Sequence, residues 1–391
     1  MARKKKFYKG LTVFLAIVFL AVGCAVGYLG AAMYSAASFK SDEAPATLVQ
    51  GELQIHFLEL GNKYTGDCTY IKAGETDILI DAGSKTDSIA TISAYIDQYV
   101  TDKKLEYVIV THAHQDHYAG FTKRDGSLFD LYEVGTIIDF AMTNQEDKGE
   151  SNMYGRYLLE RDAEIAAGAV HYDAADCIEQ DKDVFDLGSG VTMTVLDSYY
   201  YYRENLLLFD EDGDPIIDEE TGEQKLKKVS ENDYSVCTLF TYGDYNYLFT
   251  GDLEEDGEEY LVQMNTLPEV DLYKAGHHGS KTSSSEVLLE AVKPDMVCVC
   301  CCAGSPEYTD DDAKQFPTQE FIDRIARYTD KVYVTTLCID YEAGTFRSMN
   351  GNIAVLTDKN GITVNCGSGD SRVLKEWEWF KQHRTCPAAW Q

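Results

Sequence analysis

Five of the chain's eight histidines fall in two short clusters, each directly behind an apolar strand-like run. Thr111-His112-Ala113-His114-Gln115-Asp116-His117 follows LEYVIV, and Gly276-His277-His278-Gly279-Ser280 follows DLYK. Side chains at i and i+2 of an extended loop point the same way, so His112 and His114 can clasp one ion. Asp116 and His117 fall at a turn, where neighbouring side chains can aim at a second. Imidazole plus carboxylate suits zinc, and also manganese or iron. A solvated loop is the plain alternative, but it leaves the H-x-H-x-D-H spacing unexplained. Metal-assisted hydrolysis is therefore the first functional class to consider, and the fold must bring strand ends together.

The remaining pattern suits that demand. Strands are expected over 53–60, 68–73, 77–81, 105–110, 136–140 and 191–196, with helices over 88–100 (Asp87 as N-cap) and 153–167. A hairpin turns at Gly243-Asp244 between 235–242 and 245–249. Further helices over 254–264 and 285–292 flank a strand at 271–274, a cysteine-rich strand follows at 296–304, and Pro317 opens a helix to Tyr328. Three short strands end the core by Val364. Repeated strand–helix units in two halves predict an α/β fold of two mixed sheets between helices, spanning 52–366. Residues 198–230 break the rhythm and read as an acidic surface hairpin or insertion with four tyrosines at its start. An EF-hand there is excluded, because Gly213 is misplaced relative to Asp210, Asp212 and Asp214. All three tryptophans lie in the tail, 367–391, which is expected to pack on the domain, with contact to a partner as the alternative.

The N-terminus differs in kind. Residues 1–9 are basic, and Gly10 to Phe39 carry no charge. Thirty such residues would rise ~45 Å as a helix, enough to cross a hydrocarbon core of ~30 Å. Basic flanking residues put that end in the cytoplasm, so residues 10–39 read as a single-pass anchor, 40–51 as a linker and the rest as extracellular. The alternative is a secreted protein or lipoprotein cleaved near Leu20-Ala21-Val22-Gly23-Cys24, but the apolar run continues past it. Gly23, Gly27 and Ala31 have the spacing of a helix-pairing stripe, with a lone anchor as the plainer reading.

All 66 acidic residues follow Lys40, against 28 of the 34 lysines and arginines, leaving that portion at a formal −38. Such a charge repels polyanions and disfavours broad nucleic-acid binding, although a divalent ion would dominate the field at a local site. A small or phosphate-ester substrate fits better. Ten cysteines lie outside the anchor, but four fall in MVCVCCCAG and others in apolar runs, where cysteine acts as a small hydrophobe. Few or no disulfides are expected. Oligomeric state is not legible.

Two further motifs extend the candidate site. Asp252 follows the strand 245–249 and a tight Thr250-Gly251 turn, where a carboxylate can bridge two ions; a helix-capping aspartate is the alternative. Of His277 and His278, one can ligate while the other orients it, meets substrate or donates to a ligating carboxylate. Ser280, Lys281 and Thr282 offer hydroxyls, N–H groups and one cation, a phosphate cradle or an ordinary serine cap with a surface lysine.

At these residues the chain resembles the metallo-β-lactamase-fold hydrolases, and within them the hydrolase domain of ComEC-type competence proteins and its free-standing relatives. The matching stretches are IHFLELGNKYTGDCTYI, ILIDAG, VIVTHAHQDHYAG, ENDYSVCTLFTYGDYNYLFTGDL and LYKAGHHGSKTSSSEVLLEAVKPDMV. The resemblance implies an αββα sandwich and a site of Asp81, His112, His114, Asp116, His117, Asp252 and His277 or His278, holding two divalent ions, zinc first. Asp81 and Asn232 enter as weak ligands or as partners behind the ligands. Asp116, His278 and Lys281 would carry the catalytic roles: a hydroxide generated between two ions attacks an ester, and Lys281 holds a phosphate oxygen. Three departures matter. Family members supply another histidine where this chain has Glu231-Asn232-Asp233-Tyr234-Ser235. Phe316-Pro317 stands where relatives carry His-Pro. The multi-helix channel of the competence proteins has no counterpart, so DNA transport by this chain alone is unsupported. His171 is spaced like the missing ligand, but its strand-edge context reads as structural, and His56 and His383 read as structural or exposed. A phosphodiesterase-like enzyme is the expectation. A binding module that lost turnover, or a hydrolase of carboxylic esters, lactones or phosphocholine-type groups, are the alternatives.

Overall fold

The computed structural model describes residues 53–208, 210, 213–218 and 221–391. The chain starts one sheet with β1 (Leu53–Phe57), β2 (Thr69–Ala73), β3 (Thr76–Ile80), β4 (Lys104–Ile109), β5 (Glu133–Asp139) and β6 (Val170–Asp173). It then builds a second with β7 (Val184–Asp186) and β8 (Val191–Val195), and makes an excursion through β9 (Asn205–Leu207) and β10 (Leu226–Lys228). The second sheet resumes with β11 (Thr238–Tyr242), β12 (Tyr245–Phe249), β13 (Leu272–Lys274), β14 (Met296–Ala303), β15 (Val332–Asp340) and β16 (Thr345–Ser348). β17 (Ile353–Asp358) and β18 (Gly361–Cys366) return to the first sheet. The orders are β18-β17-β1-β2-β3-β4-β5-β6 and β16-β15-β14-β13-β12-β11-β8-β7. In each sheet four consecutive strands run parallel, β3 to β6 and β12 to β15. Parallel neighbours deliver their carboxyl ends to one edge, where open α/β sheets bind ligands.

β14 explains the cysteines. Met296, Cys298 and Cys300 join the core between the sheets, while Val297, Val299, Cys301 and Ala303 join the cluster under the outer helices. A parallel strand covered on both faces takes small apolar residues throughout, and the ten described cysteines are all free. Between the sheets, Phe57 stacks on Phe249 at 6.1 Å between ring centroids, and the Tyr247 hydroxyl meets Thr357 Oγ1 at 2.6 Å.

Helices cover both outer faces, which makes the expected four-layer sandwich. Helix Ser88–Ile96 buries Ile89, Ile92 and Ile96 against the first sheet, the 3–4 spacing of an apolar stripe. Its cap differs from expectation: the Asp87 side chain accepts from Asn62 Nδ2 at 3.0 Å instead of capping. The helix expected from Pro317 begins at Gln319, because Thr318 is the capping residue and accepts from the Phe321 N–H. The tail packs on the outer face of the second sheet, with Trp377, Trp379 and Trp390 buried beside Phe321 and Ile322. The excursion departs from a purely surface reading. Tyr200 and Tyr201 are buried, and the Tyr201 hydroxyl accepts from the Cys237 N–H at 3.1 Å, rooting the hairpin in the domain. The expected basic segment 1–9, anchor 10–39 and linker 40–51 lie outside the described residues. Among the described residues no helix is long and apolar enough to cross a membrane.

Candidate metal centre

The two histidine clusters and Asp252 meet at the carboxyl ends of β4, β12 and β13. Backbone contacts stitch their loops together: Asp67 N donates to Asp116 O at 3.0 Å, Gly83 N to Asp67 O at 2.9 Å, and Val236 N to Thr111 O at 2.9 Å. Gly83 must be glycine, since a Cβ there would lie 1.5 Å from the Asp116 carbonyl oxygen. Gly251 sits at φ +54 against Ser235, whose hydroxyl accepts from Asp252 N at 3.0 Å and so fixes that carboxylate.

His117 Nε2 lies 3.1 Å from Asp252 Oδ2, and His278 Nε2 lies 3.4 Å from both Asp252 Oδ2 and Asp116 Oδ2. These atoms converge on one buried point, yet His117 Nε2, His278 Nε2 and Asp252 Oδ1 make no hydrogen bond. A buried polar atom without a partner is costly, and two imidazole nitrogens aimed at the same Asp252 Oδ2, while Oδ1 turns toward Lys274 Nζ at 3.7 Å, are what a cation would satisfy. The donor set of imidazole and carboxylate therefore fits a divalent ion. Beside it, His112 Nε2 and His114 Nδ1 are 3.0 Å apart, and His112 Nε2 is 3.9 Å from Asp252 Oδ2, which gives Asp252 a face toward each position.

Other side chains hold the ligating candidates in place. Asp81 accepts from Thr111 N and Thr111 Oγ1, both at 2.8 Å, and pairs with His117 Nδ1 at 2.8 Å. It orients the imidazole from its far edge. Asp67 is close enough to join His117, Asp252 and His278, with one atom from each within 4.8 Å of the rest. Its oxygens are engaged elsewhere, by the buried Lys274 ammonium and by His278 Nδ1 at 3.1 Å, so it too acts behind the ligands. His278 Nδ1 also meets the Cys300 carbonyl at 2.9 Å. Both His277 (φ 46) and His278 (φ 54) adopt the left-handed conformation, an uncommon strain that a functional loop can carry.

The charges explain the titration. Burial alone would lower His117, but the Asp252 and Asp81 carboxylates raise it to about 10. Burial likewise opposes protonation of His278, and Asp252 and Asp67 push it well above its ordinary value. Burial disfavours the ionised Asp252, but His117 and His278 hold it well below the usual carboxylate range. A field that holds protons on two buried imidazoles favours any cation that replaces them.

Residues 61–302 match the metallo-beta-lactamase superfamily. The chain belongs to that superfamily. It is also similar to Recombination protein 2 of Haemophilus influenzae, 33% identical over 28% of this chain and 13% of that protein. It matches Competence protein ComA of Neisseria gonorrhoeae at 34% identity over 28% of this chain and 15% of that one. ComE operon protein 3 of Bacillus subtilis is 37% identical over 17% of this chain and 8% of its own length. The chain thus spans under a sixth of each of these competence-related proteins. Among solved structures, the metallo-beta-lactamase fold protein YhfI of Bacillus subtilis covers 76% of this chain and 99% of its own, at 11% identity and TM-score 0.37. Human tRNase Z, short form, covers the same shares at 12% identity and TM-score 0.34. Superfamily members are typically metal-dependent hydrolases, and the Asp–His cluster here is of the kind that binds metal.

Not every expected residue reaches this superfamily site. His277 stands at its rim, with Nε2 4.0 Å from Asp252 Oδ2 and Nδ1 at 3.0 Å from Thr282 Oγ1. Asn232 donates to Glu254 at 3.2 Å, and Glu254 lies 3.6 Å from His277 Nδ1; Ser235 Oγ, at 3.4 Å, is what approaches His112. The cradle expected at Ser280 to Thr282 is differently employed. Ser280 Oγ meets Thr282 Oγ1 at 3.1 Å, and Lys281 lines a neighbouring groove with Lys227, Lys228 and Asp256. His171 pairs with Asp139 at 2.8 Å in a structural role. Sequence reasoning missed Asp67, Lys274 and Tyr308. Tyr308 Oη donates to Asp116 Oδ2 at 2.8 Å, and the Phe316 ring lies 5.7 Å from that of His278.

Proposed function

We propose that this chain is a membrane-anchored, extracellular metallohydrolase that cleaves phosphate esters, phosphodiesters first, with two divalent ions held unequally. The observation that carries the reading is the convergence of the buried, unbonded His117 Nε2 and His278 Nε2 on Asp252 Oδ2. Asp116, His117, His278 and Asp252 would hold the firmer ion, and His112, His114 and Asp252 the weaker one. Zinc suits this donor set, with manganese or iron as substitutes. Bound there, the ions supply Lewis acidity that activates water and offsets developing negative charge.

The protein's own residues do the rest. Asp81 and Asp67 fix the imidazole edges away from the reacting face. Tyr308 caps Asp116 at the mouth of a cleft of about 340 Å³, lined by Lys85, His114, Gln115, Asp116, Asp252, His277, Glu307 and Tyr308. A cleft of that size accepts a small ester or a strand end rather than a duplex. The competence-related stretches support a phosphodiester, whereas the formal −38 beyond residue 40 argues against extended nucleic acid. Anchorage rests on the basic segment before the uncharged run Gly10 to Phe39. The full chain in detergent should bind Zn²⁺ or Mn²⁺ and hydrolyse bis-p-nitrophenyl phosphate. A chain that carries no metal on elemental analysis and turns over no ester with any divalent ion would sink the reading.

A further inference from the structure

Beyond the metal positions, a strongly acidic domain that hydrolyses anionic esters gains from a side-chain cation beside the substrate, and Lys281 is not placed to be that cation. It faces the groove of Lys227, Lys228 and Asp256, and its carbonyl is held by Arg324 Nη2 at 2.9 Å. Thr282, beside it, spends its hydroxyl on His277. The loop therefore positions a histidine. The lysine that lines the metal cleft itself is Lys85, four residues after Asp81 on the loop leaving β3.

Three observations set Lys85 apart. Its backbone is fixed relative to the reacting centre, because the loop passes Asp116 so closely at Gly83 that no Cβ fits. The residue is half-buried with its ammonium 4.5 Å from the centre of the Tyr64 ring, and among the described residues it has no ion pair. Glu307, a carboxylate of the same lining, feels the Lys85 charge but accepts with one oxygen from the Thr65 N–H at 2.9 Å and forms no ion pair with the lysine. The other polar walls are committed too. Gln115 Nε2 donates to Ser84 O at 3.3 Å and Tyr308 donates to Asp116. Lys63, which also approaches the Tyr64 ring at 5.5 Å, is bound to the Tyr341 carbonyl at 2.6 Å and covers the Tyr341 ring.

We propose that Lys85 is the anion-binding residue of this cleft, receiving a charged non-bridging oxygen of a phosphate ester whose reacting centre lies against Asp116, Asp252 and His277. This deepens the hydrolase reading and rests on it for the identity of the substrate. A single ammonium stacked on an aromatic ring serves one phosphate rather than a polyanion, in keeping with the charge of the domain.

The test uses the full chain in detergent, loaded with Zn²⁺, and the variants Lys85→Gln, Lys85→Arg and Lys281→Gln. Inorganic phosphate binding is read by calorimetry, and KM and kcat for bis-p-nitrophenyl phosphate are measured beside it. Losing one charge-assisted contact should weaken phosphate binding about tenfold and raise KM by a similar factor in Lys85→Gln, with kcat changed less. Lys85→Arg, which keeps the charge, should restore most of both. The proposal is overturned if Lys85→Gln binds phosphate as the parent does, or if Lys281→Gln weakens binding more than Lys85→Gln. A parent that turns over no ester but binds phosphate through Lys85 refutes the hydrolase reading and leaves the anion site standing.

Discussion

Asp81 has both carboxylate oxygens engaged inside the protein, by Thr111 and by His117 Nδ1. An asparagine there keeps the size but replaces one acceptor with a donor, and the imidazole loses the partner that fixes its tautomer. Asp81→Asn should lower metal affinity by about 10–100-fold, the usual cost of losing such a partner, measured by competition with a chelator. Unchanged affinity would mean that Asp81 only ties β3 to β4. Asp67 tests a different cost. Asp67→Asn removes the nearer carboxylate of the buried Lys274 ammonium and leaves it Gly251 O at 3.2 Å and Asp252 Oδ1 at 3.7 Å, which should destabilise the fold by up to ~3 kcal/mol in urea unfolding. Adding Lys274→Met should recover much of that loss; a double variant no more stable than the single one counts against the pairing. At this scale the sequence was uneven. Spacing exposed the histidines and Asp252, but a lone Asp67 ahead of a strand looks like any turn carboxylate, and Lys274 looks like the polar end of a strand. Neither has a local pattern, because each finds its partner across more than 180 residues.

Elements carry strain in the loop of His277 and His278, and a buried carboxylate holds that loop's far side. Glu258, in helix Glu255–Met264, accepts from Ser284 N at 2.7 Å and Ser285 N at 2.6 Å, just ahead of helix Glu286–Val292. Burial raises its pKa from 4.5 to about 7 despite those two donors. Between these values the folded protein keeps a proton that the unfolded chain has lost. This contribution is therefore full below pH 4.5 and declines as pH rises toward 7, by at most ~3 kcal/mol. Urea unfolding at pH 5 and pH 8 should show a smaller pH-dependent loss in Glu258→Gln than in the parent. Parallel curves would remove Glu258 from the account. The longer helices were legible from periodicity, Met153–Ala167 to the residue, but the helix expected over 88–100 ends at Ile96 and the short helices Leu128–Leu131 and Ala174–Glu179 were not foreseen. Caps were less so, since the Asp87 side chain is engaged by Asn62, 25 residues away.

For the whole molecule, the tail is where fold and site become one argument. Its tryptophans close the outer core, as their clustering suggested, but Arg384 does something composition could not reveal. Buried beside Trp379, it donates to Pro317 O at 3.0 Å and Gln315 O at 2.7 Å, bracketing Phe316. Thr318 N then donates to Gly279 O at 2.9 Å, which ties the same loop to the end of the Gly276–Gly279 turn. Trp390 lies in the same tail but bonds Thr329 O at 2.9 Å, away from that loop. The two residues should therefore separate stability from site geometry. Trp390→Ala should cost ~3–5 kcal/mol of stability and leave metal affinity near that of the parent at temperatures where both are folded. Arg384→Ala strands the buried Pro317 carbonyl at about 1–3 kcal/mol and the half-buried Gln315 carbonyl at less, and should also weaken metal binding, because the Phe316 wall against His278 is freed. Equal effects of the two variants on affinity would show that the tail acts through global stability alone. A selective loss in Arg384→Ala would make the last residues of the chain part of the metal site's support.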